Sequence, residues 1–503
     1  MRPAFAPILI TLALLGACQN PPAAGSAAGA ASAVETGSVA ADPPNGADPT
    51  AAAHDAAFAA GPGDADRARA KQLVDAALTG RAHELLTELC TVAPGRLSGT
   101  PALERAVDWG VATLRGFGLE NVRAEPVTVP YWRRGGPERC ELLDRDGAVL
   151  EELDVLALGG SVGTPAEGIT AEVVVVQDFD ELERRADEVA GRFVLFNRAM
   201  PRILRSTFMA YGQAVPQRTS GASRAAGLGA VGALVRSMTT RLDDVPHTGT
   251  MIYADGVERI PAAALSTVDA DTVAGRVAAG DPVRVRLAMS CEPMPDAESA
   301  NVVGELVGRE RPDEVIVIGG HLDAWDVGQG AHDDGAGCVH AIEAVRLLQE
   351  IGYRPRRTLR VVLFTNEESG LRGARAYAAE HADETHVAAI ESDRGGFVPR
   401  GFTTSARGEV LRRLEPWVDV LDDEQMGALI RGGGGADIGP LAEHGAVLFG
   451  LATIAHRYFD YHHSARDRID AVNERELALG AAACAWLLTV LDRADLRESA
   501  GTR

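Results

Sequence analysis

The sequence predicts an α/β protein: a sheet of mostly parallel strands covered by helices, interrupted by a β-rich insertion. Three observations carry this reading. From residue 301 onward, short branched apolar runs alternate with segments of helical periodicity, and strands alternating with helices build a largely parallel sheet with covered faces. The runs themselves, such as residues 315–318, are continuous rather than alternating, as strands buried on both faces require. Residues 134–290 differ: short apolar runs at 173–176 and 193–196 are separated by turn-rich stretches, which read as a separate β-rich unit.

The elements follow in chain order. Arg2 and the short apolar run 8–15 form a leader too short to span a bilayer. The tetrapeptide Leu15-Gly16-Ala17-Cys18 resembles a bacterial lipobox, so residues 1–18 read as a lipoprotein signal peptide with Cys18 acylated. Gln19, in place of Asp, directs such a protein to the outer membrane, on its periplasmic face. Residues 19–65 are rich in Ala, Gly, Pro and Ser and cannot bury a core; they read as a disordered tether. The folded body starts at residue 66. Leu73, Val74, Leu78, Leu85 and Leu86 mark helical segments, and a helix runs from Pro101 to Phe117 with Thr100 as its N-cap. Residues 136–295 are the insertion, with a short helix at 222–229 and a strand near 231–234. Residues 296–497 form the α/β part, with strands at 315–318, 359–364, 387–390 and 446–449. Helices cover 335–350 and 371–381, and the last opens at Asn473, with Glu476 three residues on as in a capping box.

Asp and Glu total 71 against 49 Lys and Arg, a net charge of −22. A surface this acidic repels phosphate backbones, so nucleic acid is excluded as a partner. Apart from Cys18 there are five scattered cysteines and no CxxC pair, so neither a disulfide scaffold nor a zinc ribbon is indicated. A single Cys140–Cys291 bridge is compatible with an oxidising compartment.

Five segments carry the chemistry. Four sit at or just past the C-terminal end of a predicted strand: Gly319-Gly320-His321-Leu322-Asp323, Gly330-Ala331-His332-Asp333-Asp334-Gly335, Thr365-Asn366-Glu367-Glu368-Ser369 and Glu391-Ser392-Asp393. Open α/β sheets bind ligands at that edge. The fifth, Tyr461-His462-His463-Ser464, lies in the loop after the 446–449 strand. Imidazoles with several carboxylates form an N/O donor set that suits zinc, with manganese or cobalt as substitutes. Two ions need a carboxylate between them, and Asp333 is the natural bridge. Asp323 and Asp467 are spaced to accept the second ring N–H of His321 and His463. Of the pair Glu367-Glu368, one can bind metal while the other moves a proton. His332, His340, His381 and His386 are assigned no chemical role.

These motifs, and above all the stretch HLDAWDVGQGAHDDGAG from His321 to Gly337, resemble the co-catalytic zinc aminopeptidase family, in its carboxypeptidase Q-like (plasma glutamate carboxypeptidase) branch. The likeness runs over about residues 85–491. It includes Pro94-Gly95-Arg96-Leu97-Ser98-Gly99-Thr100 and Leu158-Gly159-Gly160-Ser161. The resemblance implies a zinc-exopeptidase sheet built from 66–135 and 296–497, with a protease-associated-type domain over 136–295 walling the site. It implies two Zn2+ per chain, one on His321 and Asp393, the other on Glu368 and His463, with Asp333 bridging. Glu367 is implied as the general base and acid, and the Asp333–Asp334 peptide as cis. The stretch 432–437, GGGGAD, also resembles this branch and implies a backbone wall with Asp437 near the substrate's amino group. Read alone, it is a Gly-rich surface loop. His462 is a candidate hydrogen-bond donor to an oxyanion or a substrate carboxylate. Family members carry Asp-Thr where this chain has Asp467-Arg468, a local departure.

The implied substrate is a dipeptide or short peptide with a free N-terminus, and the implied relatives include homodimers. Two rival readings use the same scaffold: a zinc-dependent glutaminyl cyclase-like acyltransferase and a non-catalytic binding protein. Retention of all five ligand positions argues against the first, which typically binds one zinc. Retention of the ligands together with Glu367 argues against the second.

Overall fold

The computed structural model describes residues 58–496. The signal peptide read at 1–18 lies outside the described residues, as does the tether up to residue 57; its last residues are ordered rather than disordered, because Phe58 is buried with its ring stacked 4.6 Å from Trp417 and the first helix opens at Asp64.

Two eight-stranded sheets organise these residues. The first runs, in spatial order, Glu120–Arg133, Glu292–Leu306, Arg357–Phe364, Arg311–His321, Thr385–Glu391, Val447–Thr453, Pro399–Thr404 and Ala428–Arg431. Its four central strands, from 357–364 to 447–453, are parallel, and these are the continuous apolar runs of the sequence. Ile316 and Ile318 face a core built with the helices Ala336–Glu350 and Glu474–Arg493. Val315 and Val317 face the opposite core, with Ala374 and Tyr377 of Arg372–Glu380. Both faces are therefore covered, which accounts for the lack of alternation. Asn473 caps the last helix, its side chain accepting from Glu476 N at 3.1 Å.

The flanks join this centre antiparallel. The long strands Glu120–Arg133 and Glu292–Leu306 carry mostly exposed or half-exposed residues over much of their length, so no apolar run announces them. They pair with each other, Arg133 opposite Glu292. The chain thus leaves the first sheet and returns to it side by side.

Between those two points lies the second sheet. Its strands are ordered Val149–Leu153, Arg139–Leu143, Arg284–Ala288, Ile169–Val176, Phe193–Phe196, Gly232–Arg236, Ala262–Leu265 and Val155–Ala157. It also carries the helices Thr207–Ala214, Pro216–Ala226 and Thr267–Ala279, so its helical content exceeds what the sequence suggested. Pro216–Ala226 begins well before residue 222, and its buried apolar residues are all small, Gly221, Ala222 and Ala225. Such a face leaves no large-residue periodicity to detect. Tyr458 and Phe459, from the loop after Val447–Thr453, insert into one core of this sheet, and Trp325 into the other.

All five cysteines among the described residues are free and buried, Cys140 and Cys291 included. No helix among the described residues is long and apolar enough to cross a membrane.

Candidate metal centre

The parallel centre delivers the chemistry to one edge. His321 ends Arg311–His321, Glu367 and Glu368 follow Arg357–Phe364, and Asp393 follows Thr385–Glu391. Asp333 lies in the turn that leads into Ala336–Glu350, and His463 in the loop after Val447–Thr453. His321 Nε2 is 3.3 Å from Asp333 Oδ1 and 3.9 Å from Asp393 Oδ1. On the other side of Asp333, its Oδ2 is 3.4 Å from His463 Nε2, which is 2.9 Å from Glu368 Oε2. One carboxylate therefore faces an imidazole on each side. The Asp333–Asp334 peptide is cis.

The electrostatics of this cluster call for cations. Burial, and then the field of Asp333, push Glu368 well above the usual carboxylate range. Burial and its acidic neighbours Asp333 and Glu367 do the same to Asp393. Burial also pushes Glu367 up to about 7. Burial lowers His321, but its bond to Asp333 and the surrounding carboxylates outweigh this and hold it well above its ordinary range. Buried like charges a few ångströms apart cannot all ionise without a compensating positive charge. Two acceptors at the centre, Asp333 Oδ2 and Glu368 Oε1, are buried without a hydrogen-bond partner. Unpartnered carboxylate oxygens facing imidazole nitrogens form a donor set that fits zinc. The grouping His321, Asp333 and Glu368 lies within metal-binding reach, as does Asp333 with His462 and His463.

The surrounding residues include several different from those expected. Asp323 does not take the His321 ring proton through its side chain: His321 Nδ1 is 3.0 Å from the Asp323 backbone oxygen. The Asp323 carboxylate instead accepts from Glu367 N at 3.0 Å and Ser98 Oγ at 3.1 Å. Asp467 does not reach His463. It accepts from His332 N at 2.7 Å and Asp333 N at 3.1 Å, and burial pushes it up to about 7. A turn closed by Asp467 N donating to Ser464 O aims it at the Asp333 loop. Asp334 accepts from His321 N and Gly337 N, tying a ligand strand to the next helix. His462 stacks on His463 with ring centroids 3.5 Å apart, and its Nε2 is 3.8 Å from Asp333 Oδ2. It thus belongs to the cluster itself. Asp437 is 1% exposed with neither oxygen partnered, so the Gly-rich stretch that carries it is not simply a surface loop. That stretch is anchored by Glu391, which accepts from Ala436 N and Ile438 N.

The sequence also concealed several contributors. Trp325 Nε1 donates to Glu368 Oε2 at 2.6 Å, and Tyr458 OH to Asp393 Oδ1 at 3.2 Å. Both stand close in sequence to the ligand motifs, which was the available signal. The inserted segment, which showed no chemical motif, supplies a strap, His247-Thr248-Gly249-Thr250. Thr248 N donates to His463 O at 3.0 Å, His247 Nδ1 lies 2.7 Å from His462 O, and Thr250 Oγ1 donates to Glu368 O at 2.6 Å. Gly249 has φ +137°, and a Cβ there would fall 2.4 Å from the Arg218 guanidinium and 2.7 Å from His463 Nδ1; only glycine fits. Arg218 itself is 5% exposed, with Nη2 on Tyr211 OH at 2.8 Å. A cavity of about 810 Å³ opens from Glu367 and Glu368, walled by residues of the insertion and of the first sheet.

The chain resembles known metallopeptidases. A family model for peptidase family M28 matches residues 301–487. Carboxypeptidase Q of Bos taurus is 37% identical and that of Homo sapiens 36% identical, each over 437 residues covering 85% of this chain and 89% of the relative. A solved structure of a peptidase M28 precursor from Shewanella amazonensis superposes with a TM-score of 0.82 at 34% identity, over 86% of this chain and 99% of that one. A zinc aminopeptidase from Bacillus subtilis shares the fold at 18% identity and a TM-score of 0.57, over 81% of this chain and 94% of its own.

Proposed function

The chain belongs to peptidase family M28 and is a metallopeptidase of the carboxypeptidase Q type, and from this we propose that it is a two-zinc exopeptidase acting on dipeptides or on the N-terminus of short peptides. The supporting observation is the placement of Asp333 between His321 and His463, with Glu368 beside the latter. His321 and Asp393 would hold one ion and Glu368 and His463 the other, with Asp333 shared. Bound there, zinc supplies Lewis acidity toward a peptide carbonyl and toward water. Glu367, half-buried and facing the cleft, takes the proton of the attacking water and hands it to the leaving amine. Its backbone is held by Asp323, and Ser98 holds Asp323 in turn. Trp325 fixes the rotamer of Glu368.

A dipeptide panel offered to the purified body, each member with its N-acetylated form, tests this reading. We expect amino-acid release from the free dipeptides only, abolished by a chelator and restored by zinc. No release, with two zinc ions measured per chain, would instead favour the acyltransferase reading.

We also propose that the body is exported and held at the cell envelope by acylated Cys18, on the strength of Leu15-Gly16-Ala17-Cys18. Radiolabelled palmitate should enter the wild type in a bacterial host and fail to enter Cys18→Ser. Equal labelling would exclude the anchor.

A further inference from the structure

The cleft beyond the metal centre carries a charge opposite to that of the whole molecule. The chain has a net charge of −22, yet Arg259, Arg372 and Arg375 line the 810 Å³ cavity, and apart from Glu367 and Glu368 its only acidic lining residue is Asp296. Arg372 is 3.5 Å from Asp296, both side chains about half exposed. Among the described residues neither Arg259 nor Arg375 has an ion-pair partner. Both are held in place by other means. The Arg259 guanidinium lies 5.6 Å from the centroid of Tyr253. That ring is itself fixed, its hydroxyl donating to Ile260 O at 2.6 Å and accepting from Val162 N at 3.1 Å. Arg375 Nη1 donates to Gly370 O at 2.8 Å, which leaves its other donors free. The two guanidiniums come from different parts of the chain, one from the insertion and one from the helix Arg372–Glu380 that follows Glu368.

Arginine presents a planar fork of donors matched to a carboxylate. A cleft walled by low-dielectric aromatic side chains focuses such a charge. The cavity's volume of about 810 Å³ leaves room for more than a dipeptide. We infer that this cleft is an anion subsite for the leaving portion of the substrate, selecting short peptides longer than a dipeptide that bring a carboxylate to Arg259 and Arg375. The inference rests on the exopeptidase reading and specifies its substrate class. The carboxylate has two sources, the peptide's C-terminus or an acidic side chain near it.

The experiment compares kcat/KM for Ala-Ala-Ala against its C-terminal amide, and for Ala-Ala-Glu against Ala-Ala-Gln, at low and at high salt. The wild type should prefer the more anionic member of at least one pair by about tenfold, the pair affected identifying the source. That preference should shrink with salt, because exposed charges are screened. In Arg259→Ala/Arg375→Ala the ratio should fall to near one, and in Arg259→Glu a C-terminal lysine should become the better substrate. Cleavage of all four peptides with equal kcat/KM, or an unchanged ratio in both variants, overturns the subsite and leaves the peptidase reading intact. Failure to cleave any peptide, dipeptides included, overturns both.

Discussion

Glu367→Gln should retain bound metal and lose turnover. The amide keeps the size of the side chain and leaves the backbone anchor intact, the main-chain N–H of residue 367 donating to Asp323 Oδ1 at 3.0 Å, but it cannot accept the proton of water. General-base contributions of this kind are about 10²–10⁴-fold, so kcat should fall by that range with KM little changed. Zinc content should be unaffected, because Glu368, not Glu367, faces His463. The pH profile supplies a second check. Burial raises Glu367 to about 7, while a divalent cation nearby favours the ionised form. Only that form accepts a proton, so kcat/KM should rise with pH through a midpoint at or below about 7. A variant with near-wild-type kcat, or one that loses zinc along with activity, would remove Glu367 from the role of base.

What was legible in the sequence, and what was not, follows from which residues stand next to apolar runs. Residues 315–318, 359–364, 387–390 and 446–449 are strands buried on both faces, so composition alone marks them. His321, Glu367, Glu368 and Asp393 are placed by the ends of three of those strands, which made their convergence predictable. The strands Glu120–Arg133 and Glu292–Leu306 escaped because much of their length is solvent-facing and polar. The strap at 247–250 escaped for a different reason. It acts through a backbone N–H, one imidazole and one hydroxyl, each bonded to a backbone oxygen, and its sequence has no periodicity. Arg218 escaped because an arginine in a helix of small residues, which also carries Arg224, looks like a solvated one. Asp467 shows how sequence distance misleads. Four residues from His463, it looks like a partner for that ring, yet the turn back to Ser464 points it at the neighbouring ligand loop.

That redirected contact leads to the second large effect. Asp467 is 3% exposed and both its oxygens are used, one on His332 N and one on Asp333 N. Its backbone oxygen also accepts from Gln329 N at 2.7 Å, so side chain and main chain together pin the loop that carries Asp333. Asp467→Ala should leave two buried N–H groups without acceptors, at a cost of about 1–3 kcal/mol each. It should also free Asp333 to move relative to His321 and His463. Loss of a partner that orients a metal ligand typically lowers metal affinity by about 10–100-fold, and on the two-zinc reading proposed above the loss should spread to both ions. Asp467→Asn should be nearly as damaging, because its NH2 would face one of the same N–H donors. Asp470→Ala is the control, its side chain 83% exposed and only three residues away. Zinc titration against a chelator of known affinity, with a thermal melt on the same samples, separates the two contributions. If Asp467→Ala bound zinc like the Asp470→Ala control while melting lower, Asp467 would serve stability alone. If it lost zinc affinity at both positions, the carboxylate that the spacing assigned to His463 would instead be what holds Asp333 between the two imidazoles.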